Sequence, residues 1–147
     1  MSNVLARKRG ISEMEFYNNA REIRAELTRL LMNEKIVPKR WRPVFTYPTI
    51  DLIKQLFSCM VQANGIYPYK PEQVEERKRL QQYCIGYCED IFDQLQYMIE
   101  TLNYQEINTE NQLHKRIEYV CNLLEREEIL LAGWKKSTKL LTNTKKQ

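Results

Sequence analysis

At 147 residues, with 23 bases, 19 acids and only four glycines, the chain is one domain in size and suits long helices. No apolar run approaches the roughly 18 residues of a membrane span, and the basic start has no apolar segment behind it. Neither a membrane anchor nor a signal peptide is expected, so the chain reads as cytoplasmic. The net charge of +4 is unevenly split: residues 1–9 carry +3, residues 135–147 carry +5, and the stretch between carries −4. Basic ends on a mildly acidic body suit a phosphate-rich partner, whose counterions they release; solubilising termini are the plainer alternative.

Residues 1–11 read as a flexible arm carrying Arg7, Lys8 and Arg9. Ser12 and Glu15 have capping-box spacing, and Phe16, Ala20, Ile23, Leu27, Leu30 and Leu31 recur at steps of three and four. This predicts a helix over 12–34 with Arg21, Glu22, Arg24, Glu26 and Arg29 outward. Residues 35–49 break the pattern, because Pro38, Pro43 and Pro48 each disfavour helix immediately before them. Lys35, Lys39, Arg40 and Arg42 cluster there around Trp41, with Phe45 and Tyr47 nearby. Thr49 is placed to cap a second helix over 50–64, with Ile50, Ile53, Leu56, Phe57, Met60 and Val61 inward and Asn64-Gly65 as its stop.

Ile66 to Lys70 form a rigid aromatic link. Pro71 opens a third helix over 71–102, with Glu72, Glu75 and Glu76 at its positive end. Cys84, Cys88, Ile91, Leu95, Met98 and Leu102 make an a/d seam, widened by Tyr83, Tyr87 and Ile99. After a polar loop over 103–109, Asn108 or Thr109 caps a fourth helix ending near 136. Its stripe is Leu113, Ile117, Val120, Leu124, Leu131 and Trp134, interrupted by Glu127 or Glu128. Residues 137–147 read as a second basic, flexible arm.

Four amphipathic helices with short connections pack best as an all-α, antiparallel up-down four-helix bundle over 12–136. Ile85 and Phe92 on the third helix, and Ile129 and Leu130 on the fourth, fall off the seams. They are the expected interface of a homo-oligomer.

No arrangement for catalysis is visible: there is no glycine-rich phosphate loop, nucleophile elbow or histidine pair. The single histidine, His114, faces solvent or the basic patch. Glu125, Glu127 and Glu128, with Arg126 among them, read as a solvated helix face, and Glu89, Asp90 and Asp93 fit no calcium loop. Cys84 and Cys88 share a helix face and could join Cys59 and Cys121 at zinc. Their spacing is unlike paired structural ligands, and their apolar surroundings favour core packing. No enzyme, metal or cofactor is therefore expected.

The stronger constellation is basic and aromatic. It comprises Arg7, Lys8 and Arg9 in the arm; Lys39, Arg40, Trp41 and Arg42 at the first connection; Tyr67, Tyr69 and Lys70 at the second; and Lys135, Lys136 and Lys139 at the end of the last helix. Lysine and arginine can hold phosphates while exposed rings stack on unpaired bases. Trp41 and Tyr47 can also cap the core, and the two roles are compatible. In an up-down bundle the arm, the tail and the second connection share one end.

Several segments together resemble a family. They are Arg7-Lys8-Arg9-Gly10 with Glu15-Phe16-Tyr17 and Ala20; Pro38-Lys39-Arg40-Trp41-Arg42 with Ala63-Asn64 and Ile66-Tyr67-Pro68; and Gly133-Trp134-Lys135-Lys136-Ser137. From about residue 7 to 140 the chain is similar to the accessory variability determinants of diversity-generating retroelements. Those four-helix-bundle proteins are related in fold to the proteins encoded in intervening sequences of bacterial ribosomal RNA genes. The resemblance implies a ring-like homo-oligomer, a pentamer, that binds RNA or an RNA–DNA hybrid and a reverse transcriptase. It implies support of mutagenic complementary-DNA synthesis without being the enzyme. A structural or protein-interaction bundle of a phage or mobile element, with no nucleic-acid role, is the competing reading.

Overall fold

The computed structural model describes residue 5, residues 9–102 and residues 110–142, with residues 9 and 110–112 described by backbone alone. Arg7, Lys8 and the predicted caps Asn108 and Thr109 lie outside the described residues. The architecture is all-helical: α1 (Arg9–Ser12), α2 (Glu15–Leu31), a 3-10 turn (Lys39–Trp41), α3 (Arg42–Asn64), α4 (Pro71–Leu102) and α5 (Glu110–Ser137). None of the described helices is long and apolar enough to cross a membrane.

The predicted arm ends earlier than expected, because α1 turns Ile11 into the core, where it is buried. Met14, in extended backbone, separates α1 from α2 and occupies the position before the first helical residue, so the expected Ser12–Glu15 capping box does not form. At its other end α2 stops at Leu31, and the Asn33 side chain accepts the Lys35 amide at 2.9 Å to turn the chain. Ile36 and Val37 then bury in the core from within the connection.

The largest departure is the start of α3, at Arg42 rather than 50. Pro43 falls in the first turn, where its missing N–H would have had no helical partner anyway. Pro48 lies inside the helix, and packing outweighs its local cost. Phe45 is buried and meets Trp41 at 5.8 Å and Tyr97 at 4.9 Å. Thr46 is fully buried and donates its hydroxyl to the Leu31 carbonyl at 2.7 Å, tying α3 to the end of α2. Thr49 caps nothing; it is buried and donates to the Phe45 carbonyl at 2.6 Å.

Each long helix packs on two others: α2 on α3 and α5, and α4 on α3 and α5. Along each pair, numbers rise on one helix as they fall on the other. In α2 and α5, Glu15 pairs with Arg126, Asn19 bonds the Leu123 carbonyl, and Glu22 accepts from Tyr119. The predicted seams are the core. Ile23, Leu27, Leu56, Met60, Cys84, Cys88, Ile91, Leu124 and Leu131 are essentially inaccessible, whereas Tyr83 is exposed. Leu95→Ala and Leu124→Ala should each cost about 2–5 kcal/mol in chemical denaturation; near-zero costs for both would mean that the core is wrongly placed.

The cysteines are free thiols. Cys59, Cys84 and Cys88 are buried and Cys121 is partly so. Burial pushes all four thiols above their ordinary range. They pack as small apolar side chains.

Candidate nucleic-acid interface

The lysines at the end of α5, Lys135 and Lys136, are placed by an aromatic anchor. Trp134 stacks on Phe16 of α2 with ring centroids 4.1 Å apart, and the Arg77 guanidinium of α4 lies 5.4 Å from the indole centroid. One residue of α5 thus meets two other helices. Arg77 also donates to the Ile66 carbonyl at 2.8 Å, fixing the turn after α3. Beyond Trp134, the Thr138 hydroxyl donates to Gln81 at 3.0 Å, and both residues are buried. The Leu141 amide donates to the Pro68 carbonyl at 2.8 Å. The predicted flexible tail is therefore ordered through Leu141, against the second connection.

The Leu141–Pro68 bond brings the tail that carries Lys139 to the connection that carries Lys70 and the exposed rings of Tyr67 and Tyr69; Lys70, Lys136 and Lys139 are all exposed. Lys135 is half-buried and donates to Gln82 at 2.8 Å. Among the described residues, Lys70, Lys136 and Lys139 have no carboxylate within ion-pair distance. Their charge is available to an external anion.

The first connection differs. Lys39 pairs with Glu34 at 3.2 Å. Arg42 is largely covered; it lies 3.9 Å from the same carboxylate and donates to the Met32 carbonyl at 3.1 Å, closing the end of α2. Arg40 is exposed and its guanidinium sits 5.9 Å from the Trp41 ring. Trp41 is half-buried against the core beside Phe45, which is the capping role expected of it. Of the four residues named there, Lys39 and Arg40 remain accessible, and Glu34 partly neutralises Lys39. The backbone of Arg9 opens α1.

Compared with protein-family models, curated proteins and solved structures, the chain matches none of them. The site therefore rests on its own geometry.

The off-seam residues divide too. Ile129 is 72% exposed, whereas Ile85, Phe92 and Leu130 are partly buried against the core. Ile85, Phe92 and Leu130 thus contribute to the core and keep part of their surface exposed. His114 is exposed, as expected.

The expected solvated acidic face on α5 needs correction. Glu127 points inward and is 0% exposed. Its Oε1 accepts from Asn19 Nδ2 at 3.0 Å, while its Oε2 is buried without a partner among the described residues. Burial pushes its carboxyl up to about 8, although the Asn19 hydrogen bond and Arg126 pull the other way. The signal was legible in the spacing, since Glu127 lies three residues after Leu124 and four before Leu131, inside the stripe.

Proposed function

We propose that this protein is a non-enzymatic, nucleic-acid-binding adaptor of a retroelement reverse transcriptase that supports mutagenic complementary-DNA synthesis in the cytoplasm. The observation that carries the nucleic-acid reading is the ordered lysine cluster at the end of α5, free of carboxylates among the described residues and flanked by Tyr67 and Tyr69. The Trp-Lys-Lys-Ser ending that places it is also a principal carrier of the family resemblance, which supplies the reverse-transcriptase partner. The opposed numbering along all neighbouring helices supports an antiparallel up-down bundle. Exposed Ile129 supports assembly into the ring-like homo-oligomer, a pentamer, that the resemblance implies. A ring multiplies a modest lysine patch, so weak phosphate contacts add as avidity.

Binding to a structured RNA should fall steeply with salt. Lys70→Glu with Lys136→Glu should weaken it more than Lys39→Glu with Arg40→Glu. For every lysine that pairs with a phosphate, its removal should lower the slope of log affinity against log salt by about one. Equal binding by the Lys70/Lys136 variant and the wild type would remove the α5 end from the interface. The apolar groove beside Ile129 favours a second reading, a pure protein-interaction bundle. That reading wins if the wild type binds no RNA at about 50 mM salt, where electrostatic binding is strong.

A further inference from the structure

The flank between α4 and α5 carries a groove of about 520 Å³. Ile85, Ile129 and Ala132 supply its apolar lining, and Glu89, Glu125 and Glu128 its acidic lining. Oε1 of Glu128 is buried with no hydrogen-bond partner among the described residues. Burial first, and then the neighbouring Glu89 carboxyl, push Glu128 up to about 7. The groove therefore holds crowded acids, and none of them is in an ion pair among the described residues. Three acids beside three apolar residues suit a segment that is both basic and apolar.

The C-terminal segment has that chemistry. Past Glu128 the chain contains no acid, and Lys139 is followed by Leu140 and Leu141. These leucines are 49% and 42% exposed, yet the segment is held by the Thr138–Gln81 and Leu141–Pro68 hydrogen bonds. It forms an ordered ridge at one end of the bundle. Its leucines lie away from their own groove, because Leu141 is tied to Pro68 and Ile85 lies about 21 Å along α4 from Pro71, where the helix leaves that turn; Lys139 is nearer, following Thr138, which bonds Gln81 one turn before Ile85.

We propose that the groove of one copy receives the Lys139–Leu141 ridge of a second copy. The lysine meets the acidic lining and the leucines cover Ile85 and Ile129, so Lys139 serves assembly and Lys70 and Lys136 are left to the nucleic acid. The donor surface lies at the end of the bundle and the acceptor on its flank. The contact is therefore heterologous, and repeated around an axis it closes a ring. This assignment rests on the oligomer reading above and gives it a geometry.

Two variants test it. Ile129→Asp disables the groove, and Leu140→Asp with Leu141→Asp disables the ridge. All three positions are exposed, so circular dichroism should match the wild type. Light scattering should show an oligomeric wild type and two monomeric variants. Mixed in equal amounts, the variants retain one intact groove and one intact ridge between them. They should form a heterodimer of twice the 17.7 kDa chain mass. If the wild type is oligomeric but the variants keep its size, or their mixture stays monomeric, the groove–ridge contact is wrong and the oligomer reading stands. A wild type that is monomeric at micromolar concentration overturns both.

Discussion

Raising the pH from 4.5 to above 8 should destabilise this fold by roughly 4–5 kcal/mol through Glu127 alone, and Glu127→Gln should abolish that loss. The side chain is fully enclosed, with Asn19 of α2 as its hydrogen-bonding neighbour and the Cys84 and Cys88 thiols of α4 close enough to feel its charge. Burial raises its pKa from 4.5 to about 8 in the folded protein. Below pH 4.5 both folded and unfolded chains hold the proton, so the stabilisation is fully present. Between 4.5 and 8 the unfolded chain releases the proton and the folded chain keeps it. Stability then falls by about 1.4 kcal/mol per pH unit. Above 8 the folded carboxyl ionises too, and the loss is complete.

The glutamine variant preserves shape and can still accept from Asn19, but it does not titrate. It should match the wild type near pH 4.5 and exceed it at pH 9, with the thermal midpoints there separated by on the order of 10 °C. Parallel stability curves for the two proteins would show that Glu127 is solvated. Because the comparison is a difference, groups that do not feel Glu127 cancel, including Glu128, which is raised in the same direction; the Cys84 and Cys88 thiols, which burial and the Glu127 charge push up, stay protonated over this range.

Periodicity carried the helices and most of the core, because α4 and α5 are long enough for the a/d pattern to repeat several times. The span predicted for α4 is the one observed, Pro71–Leu102. Local signals were weaker where tertiary contacts compete with them. Pro43 and Pro48 argued for a broken connection, but burial of Phe45, Thr46 and Thr49 draws the helix through them. The Ser12–Glu15 spacing promised a cap, but α1 uses Ser12 as its last residue.

The candidate site was legible as composition and not as geometry. Lysine counts marked both ends of the chain and the first connection alike. Only packing shows that Arg42 is spent on the end of α2, that Glu34 offsets Lys39, and that Lys136 and Lys139 have no acidic neighbour among the described residues. Glu127 illustrates the opposite failure. Its position within the stripe placed it inside, while its charge argued for solvent, and protonation allows the spacing to prevail.

The second large effect is expected from Trp134→Ala. Trp134 of α5 meets both Phe16 and Arg77, and so it ties three helices together at the lysine-bearing end. Removing it discards a stacked ring pair and a cation–π interaction and opens a cavity beneath the last turn. Truncation of a packed tryptophan costs about 3–5 kcal/mol; partial exposure places this one toward the lower figure. Trp134→Phe should recover much of the loss by keeping the stack on Phe16. The functional consequence follows from order rather than charge. Both variants retain every lysine, so long-range attraction to RNA is unchanged. In Trp134→Ala, however, the backbone of the last turn that carries Lys135 and Lys136 must be ordered on binding, at about 1–2 kcal/mol for each residue fixed. RNA affinity should therefore fall about tenfold or more at a temperature where the variant remains folded, with Trp134→Phe close to the wild type. If Trp134→Ala is destabilised as expected yet binds RNA like the wild type, the lysines act as a diffuse charged tail and the ordered end of α5 is not what holds the nucleic acid.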